Sequence, residues 1–239
     1  MKLPQNALVT TLVGSLLLSG LSAADNAEKP AAQPQGKVTY FDAAGSNATA
    51  KADGSTATFV SSDDPAVKDI AQYGFKTIER IGGMMISEVN QELATREIAQ
   101  AVGIMHLKSL ELPKPVAGKP TVTAIKRTSL MLRDPRNAPD AADAAALDKI
   151  HTQLMADESP DKMLVQKVER AGQPVEWRVY RPIAASQSCL ACHGDPATFR
   201  PGVKAALDLL YPEDKAVEYG AKEWRGVIRV SLTAPTAAK

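Results

Sequence analysis

Cys189-Leu190-Ala191-Cys192-His193 is where this sequence concentrates its chemistry. Two thiols three positions apart, followed at once by an imidazole, have the spacing by which a single porphyrin is attached covalently to a chain. Each thiol can reach one vinyl group of the same ring, while the imidazole supplies a nitrogen to the iron from one face. The pentapeptide therefore predicts one covalently bound haem c, with Cys189 and Cys192 as the sulfur donors and His193 as proximal iron ligand.

Three other chemistries use the same residue types. A zinc site wants four ligands, and beyond the two cysteines the chain holds only two other histidines, His106 and His151, both distant in sequence. A redox-active cysteine pair is expected near the start of a βαβ unit, whereas this pair lies late, after an irregular and strand-like stretch. A disulfide between residues three apart closes so small a loop that it would restrain the unfolded chain very little. Haem attachment also agrees with export. Residues 1–24 carry Lys2 and an apolar stretch from Ala7 to Leu21, shorter than the roughly 20 residues that span a bilayer, and end in Ser22-Ala23-Ala24. This reads as a signal peptide cleaved near Ala24, which predicts a periplasmic protein without stable membrane insertion.

The chain has 239 residues, with 28 Lys and Arg against 27 Asp and Glu. Losing Lys2 with the leader leaves 27 against 27, a balance that argues against nucleic acid and against charge-driven membrane contact. The remainder is long enough for one well-cored domain. Residues 25–62 are rich in Ala, Gly, Ser, Thr, Asp and Lys and read as a flexible linker or arm, so the domain is expected over 63–239.

Asp63-Asp64-Pro65 reads as a helix start. Ile78, Ile81 or Gly82, Met85, Val89 and Leu93 then recur at amphipathic spacing, with Gly82-Gly83 as a weak point or a close contact. A second helix, from about Thr95 to Leu110, carries Ile98, Ala101, Val102 and Met105 before Pro113 and Pro115. A strand is expected at Val122–Leu130, and an alanine-rich helix from Ala141 to about Met155. A hairpin is expected from Met163–Arg170 and Val175–Ile183 around Ala171-Gly172-Gln173-Pro174. Its second strand runs into the cysteine motif. A short helix at Val203–Leu210 and a closing strand at Gly226–Leu232 follow. The order predicts an α+β domain: an antiparallel sheet with a long N-terminal helical front and helices on one side.

Several segments together resemble a family of exported monohaem proteins of PAS-like fold, long catalogued as a domain of unknown function and found alone or as the extracytoplasmic part of sensor histidine kinases. They are Arg127-Thr128-Ser129-Leu130, Arg133-Asp134-Pro135-Arg136-Asn137-Ala138-Pro139-Asp140, Tyr180-Arg181-Pro182-Ile183 leading into Cys189 to Gly194, and Tyr211-Pro212-Glu213-Asp214 to Gly226. The resemblance covers residues 64–232 and implies a PAS-like fold with one haem. In that pattern a thiolate near the end of the helical front can be the sixth iron ligand. Here the matching segment is Ala101-Val102-Gly103-Ile104-Met105, so a thioether stands where the thiolate would be. His106, beside it, is the alternative metal ligand, but neighbours on a helix point about 100° apart and both cannot face one iron.

Arg127, Arg178 and Arg181 are candidates to pair with the carboxylates of the haem, since a guanidinium matches a carboxylate in bidentate geometry. Met84, Met85, Met131, Met155 and Met163 are candidates for the core. The sequence thus predicts a monohaem c-type cytochrome that transfers electrons to an unidentified redox partner, or that senses redox state or a diatomic gas through its iron. The alternative is a monohaem enzyme acting on a small nitrogen compound or peroxide. No catalytic acid or base stands out: Glu88, Glu92 and Glu97 fit solvated helix positions.

Overall fold

A computed structural model describes residues 50–52, 55–107 and 111–235, all within one compact unit, Ala31–Lys239. The expected leader, most of the expected arm, and the His106 side chain lie outside the described residues. The chain is α+β. Six strands, β1 (Ala50–Ala52), β2 (Ser55–Val60), β3 (Thr121–Thr128), β4 (Leu164–Arg170), β5 (Glu176–Ala184) and β6 (Trp224–Thr233), form one antiparallel sheet in the order β1-β2-β4-β5-β6-β3.

At Ala50–Ala52 and Ser55–Val60 the first two strands correct the reading of a loose arm. Ser55-Thr56-Ala57-Thr58-Phe59-Val60 pairs along its whole length with β4, from Ser55 opposite Arg170 to Val60 opposite Val165. Its small polar residues suit a pleated ladder whose partner lies about a hundred residues downstream, a distance at which composition gives no signal.

Helix α1 (Lys68–Thr95) lies across one sheet face. Ile70, Ala71, Ile78 and Ile81 pack on Val165, Val179, Ile228, Val230 and Leu232, so alternate residues of β5 and β6 supply the floor of this core. The helix begins three residues later than Pro65 suggested. The Asp64 carboxylate accepts from the Ala66 amide at 2.9 Å, and the Asp64 carbonyl takes the amides of Val67 and Lys68. Gly82-Gly83 does not interrupt it. The close approach is instead at Gly74, where an added Cβ would stand 2.6 Å from Val179 Cγ2 and 2.9 Å from Leu232 Cδ1. Gly74→Ala is therefore expected to destabilise by about 1–3 kcal/mol through overpacking. Gly83→Ala, which meets nothing within 4 Å, should instead gain up to about 1 kcal/mol of helix propensity. Urea unfolding midpoints of the two variants would have to move in opposite directions.

Helix α3 (Ala141–Met155) keeps its expected bounds, because Asp140 and Asp143 form a reciprocal capping box at its start. It packs on the other sheet face, where Ala146, Leu147 and Ile150 meet Leu164, Tyr180 and Val227. Helices thus cover both faces, not one: the Ala142-Ala146-Leu147-Ile150 stripe needs an apolar partner of its own, and α1 already fills the first face. Helix α2 (Ile98–Leu107) packs with α5 (Val203–Leu210) in a third cluster. Among the methionines, Met85 and Met163 pack against the first core and Met131 against the cluster of Ala185, Ala216 and Tyr219. Met84 and Met155, by contrast, are exposed at 57% and 68%.

Candidate functional site

The cysteine motif starts where the β5–β6 ladder ends. The Ala185 amide donates to the Glu223 carbonyl at 2.8 Å and the Lys222 amide to the Ala185 carbonyl at 2.7 Å, which seats Ala185 in the core. A 3-10 turn, Gln187–Cys189, then passes into the single helical turn α4 (Leu190–His193). Helical spacing of three and four puts Cys189, Cys192 and His193 on one side of that turn. Both cysteines are half-buried free thiols, and Cys192 packs into the α2–α5 cluster with Ile98, Val102, Val203 and Leu207. Burial pushes the Cys192 thiol up, so it is protonated rather than a thiolate at neutral pH. Among the described residues no three His, Cys, Asp or Glu side chains converge as metal ligands.

The return segment after α5 fixes the histidine. His193 Nδ1 lies 2.6 Å from the Ala216 carbonyl oxygen. A carbonyl can only accept, so Nδ1 carries the proton and Nε2 keeps its lone pair. The His193 and Gly194 carbonyls take the amides of Tyr219 and Glu218, both at 2.9 Å, and the Tyr219 ring meets the imidazole edge-on at 6.3 Å. Burial, together with the charges of Arg133, Arg225 and Arg127, holds the imidazole well below its usual range and so neutral. Arg133 braces the same segment: it pairs with Asp214 at 2.9 Å and donates to the carbonyls of Ala216, at 3.2 Å, and Cys192.

Of the remaining sequence candidates, Met105 is half-buried in α2, one turn beyond Ala101 and Val102. Arg127 lies on β3 opposite Ile228. Arg178 does not join the cysteine motif, which corrects its assignment to the haem. It points to the α3 face, where Nη1 binds Asp140 at 2.7 Å and Asp143 at 3.3 Å and Nε binds Glu176 at 2.8 Å. Burial alone would lower its pKa, but Asp140 and Glu176 raise it. Strand alternation decides this: Arg178 and Tyr180 share a face, while Trp177 and Val179 look towards α1. Arg181 stacks over the Phe75 ring at 5.6 Å, on the α1 side.

Sequence reasoning missed Arg225, Arg133 and the Ala216 carbonyl as parts of the site. A backbone carbonyl leaves no mark in a sequence. Arg225, an isolated cation in Trp224-Arg225-Gly226 at the start of a buried strand, is the one trace that could have been followed.

A family model described as Tll0287-like, Tll0287, matches residues 44–233. Among solved structures, that of the cyanobacterial heme-protein Tll0287 is similar at 24% sequence identity and a TM-score of 0.34, over 48% of this chain and 62% of that one. The chain therefore spans less than two thirds of that protein's length. No curated protein matches.

Proposed function

Because the chain belongs to the Tll0287-like family, we propose that it is a periplasmic haem protein of PAS-like fold that holds one haem c covalently and passes single electrons to an exported redox partner. The observation that carries this reading is the 2.6 Å contact from His193 Nδ1 to the Ala216 carbonyl. It fixes both the tautomer and the ring plane and leaves the Nε2 lone pair free to hold iron, as in metal-binding histidines whose other ring nitrogen donates to a carbonyl. The Cys189 and Cys192 thiols each add across one vinyl group: a sulfur–carbon bond forms, the thiol hydrogen goes to the other vinyl carbon, and no oxidant is consumed. Arg225 Nε is buried without an acceptor among the described residues, so it could donate to a carboxylate of a bound haem. When bound, the haem supplies a one-electron iron couple whose potential the axial ligands and burial tune.

In this reading Met105 would supply the second iron ligand, a reading that rests on its place in α2, one turn beyond Val102, which packs in the same cluster as Cys192. A sheet covered by the long helix α1 agrees with a PAS-like domain. The test is the optical spectrum of the purified protein, oxidised and reduced, with and without CO. The expected result is low-spin iron that CO does not alter, with a long-wavelength methionine-to-iron charge-transfer band that Met105→Ala abolishes. Persistence of that band in Met105→Ala would overturn Met105 as ligand. High-spin iron that binds CO in the unaltered protein would overturn the electron-carrier reading in favour of gas sensing or catalysis.

A further inference from the structure

We propose that Arg133 is the positioning residue for His193, a role that rests on the haem reading above: one guanidinium grips both the turn that carries the cysteines and the carbonyl to which the imidazole donates. That carbonyl, of Ala216, sits between α5 and β6 on a stretch with no helix or strand of its own. No ladder fixes its direction. Glu218, two residues on, holds a φ of 66° that a side chain adopts only at some cost. An acceptor on such a stretch needs outside support if it is to hold a ring plane.

Arg133 supplies that support from the segment that follows β3. Its Nη2 donates to the Cys192 carbonyl, inside the cysteine turn, and at 3.2 Å to the Ala216 carbonyl. Its Nε pairs at 2.9 Å with Asp214 Oδ2, and the other oxygen of that carboxylate accepts the Ala216 amide at 2.8 Å. The Arg133–Asp214 pair therefore holds Ala216 by both of its backbone groups. Beside it the Lys215 amide donates to the Leu132 carbonyl at 2.8 Å, tying the same two segments by their backbones. The Arg133 side chain is 13% exposed and that of Asp214 10%, so water competes little for these bonds.

The Ala216 oxygen has two lone pairs and two donors, His193 Nδ1 at 2.6 Å and the guanidinium. A planar fork suits this arrangement, since it offers several N–H groups in fixed directions to a carboxylate and two carbonyls at once. Lysine carries the same charge but presents it as a single point. The residue that orients the histidine thus lies far from it in the chain and acts through a backbone carbonyl.

The test compares Arg133→Gln, Arg133→Lys and Asp214→Asn with the unaltered protein by proton NMR of the oxidised, cyanide-bound form, in which every variant carries the same small ligand opposite His193. The haem methyl shifts then read the plane of the imidazole. That pattern should change in all three variants. Exchange of the His193 Nδ1 proton with solvent should quicken roughly tenfold or more in each, the scale of one lost hydrogen bond to a charged group. Arg133→Gln and Asp214→Asn change charge in opposite senses, so an effect of charge through space would move the exchange rate in opposite directions, whereas loss of the grip moves both alike. Lys167→Gln, which removes a cation of β4 paired with Glu169, should change neither readout. Should Arg133→Gln fail to accumulate, the other two variants carry the test. Unmoved methyl shifts and exchange in variants that hold covalent haem, or exchange rates that move in opposite directions, would overturn the role of Arg133 alone. Unaltered protein without covalent haem would overturn the haem reading and the role of Arg133 with it.

Discussion

Protein carrying Cys189→Ala together with Cys192→Ala is expected to release all of its haem into acidified acetone, where the unaltered protein releases none. These are the only two cysteines in the chain, so no other thiol can substitute. Each single variant should retain haem through one thioether. The remaining sulfur occupies the same half-buried turn, with Cys189 near Ser186 and Leu190 and Cys192 in the α2–α5 cluster. The double variant should still fold, because neither cysteine belongs to the two cores formed by α1 and α3 on the sheet. Urea unfolding of the haem-free double variant checks that point separately. Covalent retention in the double variant would overturn the attachment chemistry.

Elements whose signals are local could be read directly. The α3 helix follows from Asp140, Asp143 and an alanine-rich stripe within one short stretch. The β4–β5 hairpin follows from Ala171-Gly172-Gln173-Pro174, with Gly172 at the positive φ that its turn needs. What could not be read depends on contacts remote in sequence. Strand β2 exists because β4 accepts it, and Gly74 matters because Val179 and Leu232 press on it. The same division holds at the site. Cys189, Cys192 and His193 are adjacent in the chain, and their chemistry is visible there. The Ala216 carbonyl that orients His193 lies twenty-three positions away, on a segment that sequence marks only as a loop. Arg178 and Arg127 look alike in sequence, as cations on alternating strands. Only the docking of α3 onto one face, with Asp140 and Asp143 at its start, decides which of them is already paired.

That docking creates the second large effect. The Asp143 side chain is 0% exposed and carries three cations: Lys126 Nζ at 2.9 Å, Arg178 Nη1 at 3.3 Å and Arg229 Nη1 at 3.4 Å. Tyr180 Oη is 3.2 Å from the same carboxylate and 2.9 Å from Gln166 Oε1. Asp143→Asn keeps the volume but removes the buried anion, leaving Lys126 without a carboxylate and Arg178 and Arg229 to share Asp140, with Glu176 on Arg178 alone. It should cost about 3–5 kcal/mol, read as a large fall in the urea midpoint at neutral pH.

Acid should attack the same network. Burial would raise Glu176, but its bonds to Arg178, Ser231 and Arg170 outweigh that and hold it at about 2. Burial would likewise raise Asp140, but Arg178, the Asp143 amide and the charge of Arg229 hold it at about 2. A carboxylate whose pKa is depressed by folding stabilises above its unfolded pKa and loses that stabilisation as pH falls towards the folded value. The loss should therefore fall between about pH 5 and pH 2. Asp140 is 45% exposed at its side chain and solvent screens its share, whereas Glu176 is 17% exposed and carries more. Urea midpoints measured from pH 7 downwards should decline through this window in the unaltered protein and decline less steeply in Glu176→Gln. Equal acid slopes in the two proteins would remove Glu176 from the network's energetics and leave Asp143 and its three cations to hold α3 on the sheet.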